Sequence, residues 1–151
     1  MKIIIDDLTD PQIAEFLDDH LKEMKSVSPP ESKHALDLEG LRNPEITFWS
    51  VWEEDKLVGC GALCELNSKH CEIKSMRTSP EFKRKGIASS LLQHILNECE
   101  KRGYKKVSLE TGSMDYFLPA INLYKKFGFS ICEPFSNYKE DPNSVFMTKE
   151  L

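Results

Sequence analysis

Between His70 and Gly103 a strand-like run passes into an amphipathic helix through a basic loop, and this junction constrains the fold more than any other stretch. HCEIKSMRT (His70–Thr78) reads as a long strand. Ile87, Ala88, Leu91, Leu92, Ile95, Leu96 and Cys99 then recur at helical spacing. The helix is predicted to close at Lys101-Arg102-Gly103, with cations in its last turn and glycine as its cap. Lys83, Arg84 and Lys85 stand immediately before Gly86 at its entrance. Helix entrances ordinarily attract Asp and Glu, because the amino-terminal end of the helix dipole is positive. Three cations oppose that dipole, so an anionic group is expected to join them. A strand, a short glycine-containing loop and a helix together can hold a phosphate on free backbone amides. Here the amides of residues 84–89 are expected to point at the anion. Gly86 lets the backbone approach, Ala88 keeps the next turn small and Ser89 adds a hydroxyl.

The rest of the chain supplies a sheet for this unit. KIIIDDL (Lys2–Leu8) reads as a first strand. A helix follows, capped by Asp10 with Pro11 at its first position, and Ile13, Phe16, Leu17, Leu21 and Met24 form its apolar stripe. SVSPPES breaks that helix, and KHALDLEGL is expected to form a short second helix ending near Gly40. ITFWSVWEEDKLVGCGALCEL is a hairpin signal, with its turn at Glu54-Asp55-Lys56. Phe48, Ser50 and Trp52 share one face of its first strand; Thr47, Trp49 and Val51 share the other. Gly59 and Gly61 in its second strand predict close backbone approach or a bulge. His70–Thr78 completes a meander. After the basic helix, YKKVSLETG is a strand and YFLPAINLYKKFG a helix ending at Gly128. FSICEP and SVFMTKEL are two last strands, separated by the irregular FSNYKEDPN. The order β-α-α-β-β-β-α-β-α-β-β predicts an α/β fold with a mixed sheet.

With 151 residues the chain fits one domain, 1–151. Its net charge of −5 lacks the broad basic surface of a nucleic-acid binder, so no nucleic-acid partner is expected. No apolar run approaches the roughly 20 residues that cross a bilayer, and MKIIIDDLTD turns acidic too soon for a signal peptide. A cytoplasmic protein without a membrane partner is expected. The five cysteines (Cys60, Cys64, Cys71, Cys99 and Cys132) include no C-x-x-C pair, and the histidines show no metal spacing. Buried, unpaired cysteines and no metal are expected.

Neither G-x-x-x-x-G-K-[ST] nor G-x-G-x-x-G is present, so ATP and dinucleotides lose support. The loop Lys83-Arg84-Lys85-Gly86-Ile87-Ala88 instead resembles the diphosphate loop [QR]-x-x-G-x-[GA] of the GNAT superfamily of acetyl-CoA-dependent N-acetyltransferases, with Lys at the first position. PAINLYKKFGF (Pro119–Phe129) resembles that family's A-x-x-L-Y-x-x-x-G-F motif through Ala120, Leu123, Tyr124, Gly128 and Phe129. One helix and one strand separate the motifs, as in the family. The resemblance covers nearly the whole chain, most specifically Met76–Phe129. Many members carry Asn seven residues before the tyrosine, where this chain has Phe117. EIKSMRT, LETGSM and EDPNSVFMTKEL are similar to a bacterial subgroup of small stand-alone acetyltransferases.

The resemblance implies a GNAT-like, mostly antiparallel sheet with a splayed central strand pair, flanked by helices. It implies acetyl-CoA as co-substrate, held by Met76, Arg77 and Thr78 through the backbone and by Lys83, Arg84, Lys85, Gly86, Ile87, Ala88 and Ser89 at the diphosphate. It assigns Tyr124 both to the cofactor site and as the acid that protonates the departing thiolate. A phenol with an unperturbed pKa near 10 keeps its proton at neutral pH and can give it up there. Glu72 stands where some members place a base, and a carboxylate facing a partly apolar cleft is expected to titrate high. A structural ion pair with Lys74 is the other reading of Glu72, and Glu110 is the runner-up base. The acceptor, expected to be a small-molecule amine, is assigned His34, Trp49, Trp52, Lys74 and Glu110, with Phe48 and Arg77 as further candidates. The last two strands are a candidate homodimer surface. A non-catalytic acyl-CoA-binding module on the same fold is the rival reading.

Overall fold

A computed structural model describes residues 1–27 and 37–151. Strand β1 is Lys2–Ile5 and helix α1 is Pro11–Val27. Strands β2 (Ile46–Glu53), β3 (Lys56–Asn67) and β4 (His70–Thr78) form the meander. Helix α2 (Ile87–Lys101), β5 (Lys106–Gly112), α3 (Leu118–Lys126), β6 (Ser130–Cys132) and β7 (Ser144–Glu150) follow. The strands make one seven-stranded sheet in the order β1-β2-β3-β4-β5-β7-β6. Among these pairings only β4–β5 is parallel. This is the mixed, mostly antiparallel architecture that the sequence implies.

The local signals act where they stand. The Asp10 carboxylate accepts from Gln12 N at 2.8 Å, satisfying a free amide at the start of α1. Gly103 and Gly128 follow α2 and α3 in left-handed conformations, with φ of +83° and +94°. One expected element differs. From Asp37 onward the described part of KHALDLEGL holds only a 3-10 turn, Gly40–Arg42. The Asp37 carboxylate accepts from Gly40 N at 2.8 Å, a local bond that turns the chain instead of extending a helix. Residues 33–36 lie outside the described residues.

Strand alternation sorts side chains to two faces. Trp49, Val51, Leu63, Cys71, Ile73, Val107, Leu109 and Met147 pack with Leu91, Leu92, Ile95 and Cys99 of α2. Phe48, Cys60 and Ala62 pack on the opposite face with Ile13 and Leu17 of α1. A Cβ on Gly61 would lie 2.6 Å from Met76 Sδ and 3.1 Å from Leu91 Cδ2, which is the close approach that the glycine predicts. Cys60, Cys71 and Cys99 are buried, whereas Cys64 and Cys132 are only half-buried, against the expectation of five buried thiols. At the far edge, Ile131 of β6 is exposed.

Two irregularities open the sheet. Cys60 pairs with Arg77 but Ala62 pairs with Lys74, so β4 carries one residue more than β3 between those pairs. Ser75 takes up this bulge with a φ of +57°. Beyond it β4 leaves β5: their ladder runs from His70–Lys106 to Ile73–Leu109 and stops. The remainder of β5 pairs with β7 alone. A gap therefore opens between Lys74–Thr78 and Glu110–Gly112.

Candidate active site

The gap is the centre of a cleft of about 640 Å³. Because it passes between two strands, it joins the α2/α3 side of the sheet to the opposite side. Met76, Thr78, the start of α2 and Tyr124 line it together with Glu72, Lys74 and Glu110.

The α2 end is built for an anion. Arg84 and Gly86 both adopt left-handed backbone, with φ of +65° and +81°. Alternating hands in such a loop turn successive amides toward one point. No side chain caps the first turn of α2. Nothing lies within 4 Å of a Cβ built on Gly86, so the approach to those amides is open. Lys83, Arg84, Gly86, Ile87, Ala88 and Ser89 line the cleft. Lys85 does not; its ammonium lies 5.0 Å from the Phe82 ring centroid. The Lys83 ammonium lies 5.6 Å from the Tyr116 ring, across the mouth. These residues fit a diphosphate, and the gap beyond them fits an extended thiol arm.

Tyr124 sits in α3 with 6% of its surface exposed, edge-on to Phe129 at 5.7 Å. Burial raises its pKa to about 12, so its hydroxyl keeps its proton through neutral pH. Phe117, at the position where many relatives have Asn, lies over Gly112. A Cβ on that glycine would meet the ring at 2.2 Å.

The other side of the gap is made by side chains. Glu72 is buried, with 4% exposure. Lys74 Nζ lies 3.1 Å from Glu72 Oε2, so the structural pairing foreseen for this carboxylate exists. The Tyr138 hydroxyl donates to the same oxygen at 2.6 Å and accepts from Lys74 Nζ at 2.7 Å. Burial first, and then the bond to Glu72, push the Tyr138 phenol well above its ordinary range. Its ring meets Phe135 at 5.2 Å and Phe146 at 5.7 Å. Glu110 accepts from Ser144 Oγ at 2.8 Å. Helix α1 closes this side with His20, Glu23 and Met24. Arg77 Nη1 donates to Glu23 Oε2 at 2.5 Å, and its guanidinium stands 5.0 Å from the Phe16 ring. Arg77 is thus a buried tie between β4 and α1. His20 is buried beside this pair; desolvation, aided by Arg77, lowers its pKa to about 4.

Of the residues assigned to the acceptor from sequence, Lys74 and Glu110 line the cleft and the tryptophans do not. Trp49 is fully buried under α2, 6.2 Å from the His94 ring, because its strand position points to that core. Phe48 is buried beneath α1. Trp52 packs against the same cluster and donates to Ser50 Oγ at 2.8 Å. His34 lies outside the described residues. Sequence reasoning missed Tyr138, Glu23, Tyr116 and Asn143, and saw His20 only as a non-ligand. Its one usable signal was that Glu23 shares the inward stripe of α1 with His20 and Phe16.

The chain belongs to the acetyltransferase (GNAT) family, whose sequence profile matches residues 13–129, and it is an N-acetyltransferase of that family. It is 63% identical over 151 residues, all of both chains, to the uncharacterized N-acetyltransferase YsnE of Bacillus subtilis (strain 168). It is 49% identical to the uncharacterized N-acetyltransferase YedL of Escherichia coli (strain K12), over 97% of this chain and 92% of that one. These relatives place it in the subgroup that its short motifs resemble. The fold matches a putative acyl-CoA N-acyltransferase from Klebsiella pneumoniae at a TM-score of 0.80, with 23% identity over 99% of this chain and 97% of that one. It also matches an aminoglycoside 6'-N-acetyltransferase complexed with coenzyme A at a TM-score of 0.72, with 18% identity over 99% and 97%. Among the described residues no helix is long and apolar enough to cross a membrane.

Proposed function

We propose that this chain moves the acetyl group of acetyl-CoA to a primary amine of a small molecule, by direct attack in a ternary complex. One observation carries the reading: Tyr124 and Glu72 lie on opposite sides of the sheet yet line one cleft, at the point where β4 and β5 part. The open loop at Gly86 and the uncapped amides of α2 hold the diphosphate. Lys83 and Arg84 add charge. Backbone groups of Met76–Thr78, freed from a strand partner on the β5 side, hold the pantetheine arm. A fold neighbour, an aminoglycoside 6'-N-acetyltransferase, is complexed with coenzyme A, which supports coenzyme A as the class of ligand.

The amine arrives on the Glu72 side. As an ammonium it is inert, so Glu72 takes one proton, directly or through water, and passes it to solvent. The neutral nitrogen attacks the thioester carbonyl, forming the C–N bond. Collapse breaks the C–S bond, and the thiolate takes the Tyr124 hydroxyl proton. The second proton on nitrogen restores Tyr124. The sum is ammonium plus thioester to amide, thiol and one proton.

Titration with coenzyme A in a calorimeter, and thiol release from acetyl-CoA across a panel of primary amines, test this. Binding together with amine-dependent thiol release is expected. Binding without release from any amine would favour a non-catalytic acyl-CoA module. No binding would remove the reading altogether.

A further inference from the structure

Tyr138 comes from a segment remote in sequence from both motifs, yet it reaches the carboxylate proposed as the base. Its hydroxyl stands between Glu72 and Lys74 at 2.6 and 2.7 Å. Phe135 meets the ring edge-on and Phe146 packs against it at a tilt of 40°. Both contacts to Glu72 fall on Oε2 and neither uses Oε1. A buried carboxylate with one oxygen tied twice cannot rotate freely, and its second oxygen becomes the fixed acceptor.

We propose that Tyr138 is a positioning residue for acetyl transfer: with Lys74 it ties Glu72 by Oε2 and leaves Oε1 to receive the acceptor's ammonium group. This rests on the reading of Glu72 as the base. The hydroxyl can do this because its own proton is committed to Glu72 and the phenol stays neutral. The groups facing Glu72 come from every neighbouring element. Cys64 pairs with it from β3, His70 and Lys74 flank it on β4, and Glu110 lies across on β5. Across the cleft α1 presents Glu23, already tied to Arg77, and the neutral His20. Of these, only Lys74 and Tyr138 make polar contacts with Glu72 among the described residues.

The arrangement also bears on the acceptor class. Lys74 is neutralised by the buried Glu72 carboxylate and Arg77 by the half-buried Glu23 carboxylate. An amine presented as a cation therefore matches the Glu72 oxygen without displacing either pair.

The test uses the intact chain loaded with coenzyme A and ethylammonium chloride as probe. The side-chain carboxyl carbon of Glu72 is followed by NMR in wild type and Tyr138→Phe, and backbone amide signals around the cleft are followed in these two, in Glu72→Gln and in the double variant. The phenylalanine keeps the ring among Phe135 and Phe146 and removes only the hydroxyl. Wild type is expected to bind ethylammonium with a shift at Glu72. Tyr138→Phe is expected to weaken binding about 10- to 100-fold, the range for hydrogen bonds to charged groups. Binding by Glu72→Gln, followed by amide signals around the cleft, should weaken to a still measurable millimolar level, and adding Tyr138→Phe to it should cost nothing further. Additive losses would show a merely structural tyrosine and overturn the proposal, as would unchanged binding in Tyr138→Phe. Ethylammonium that leaves the Glu72 signal unmoved would overturn it too. Thiol release, assayed separately on the four proteins, reports the enzyme reading. Release that is normal in Glu72→Gln would remove the base, whereas release lost in Glu72→Gln but intact in Tyr138→Phe would remove only the positioning role.

Discussion

On the side of the sheet covered by α2 and α3, the cleft is made largely of backbone. Left-handed Arg84 and Gly86, the uncapped amides of α2 and the freed edge of β4 form it, all within one stretch from Met76 to Ser89. On the opposite side the cleft is made of side chains drawn together from α1, β4, β5 and the segment before β7. Glu23 meets Arg77 across 54 positions, and Tyr138 meets Glu72 across 66. A backbone site tolerates changes in side chain as long as the turn geometry survives. A side-chain site depends on each partner. The two halves should therefore fail in different ways when altered.

The largest effect is expected where the halves meet. Tyr124→Phe should lower kcat by about 100-fold or more, the usual scale for a general acid. The dissociation constant of coenzyme A should not move, because the phenol hydroxyl is not part of the backbone cradle. Pre-steady-state thiol release and calorimetry check both, and an equal loss in both would join the tyrosine to the binding half.

Acid should strike the side-chain half next. His20 ordinarily titrates near 6.5 and is held at about 4 in the fold. Between those values the unfolded chain binds a proton that the folded chain refuses. Stability is therefore full above about 6.5 and falls as the pH drops toward 4, by about 3 kcal/mol. Urea midpoints across this window should show the slope in wild type, and His20→Gln should flatten it.

A smaller effect is expected at Gly112→Ala, which drives a methyl group into Phe117. Overpacking of this kind typically costs about 1–3 kcal/mol, readable by urea denaturation. Because Phe117 lines the cleft, coenzyme A affinity should fall as well. The smallest belongs to Lys85→Ala. Its ammonium lies over Phe82 outside the cleft, so the dissociation constant for coenzyme A should change by less than about 2-fold.

The same division explains what the sequence showed. Three cations before Gly86, and the spacing of Ala120, Leu123, Tyr124 and Gly128, are local patterns; Lys83, Arg84, Ala120, Leu123 and Tyr124 line the cleft, whereas Lys85 and Gly128 do not. The strand faces were legible too: Phe48 and Trp49 do go to opposite cores. What alternation could not say was which buried face also borders the cleft, so both tryptophans were assigned to an acceptor pocket that neither touches. Tyr138 was hidden for another reason. It sits in an irregular stretch without periodicity, and its role exists only once β7 returns beside β5 and brings that stretch over Glu72. Arg77 is a third kind: a cation in a strand gives no hint that Glu23 and Phe16 will enclose it.

The most direct test of the account is a calorimetric titration of wild type and Gly86→Glu with coenzyme A, with the melting temperature of each protein measured alongside. The account predicts saturable binding by wild type and none by the variant, because a carboxylate and its side chain would stand at the diphosphate. Glutamate at this left-handed position, φ +81°, should cost about 1–2 kcal/mol, but no atom lies within 4 Å of the position its Cβ would take, so the melting temperature should fall without loss of the fold. Equal binding by both proteins, or none by the wild type, would contradict it.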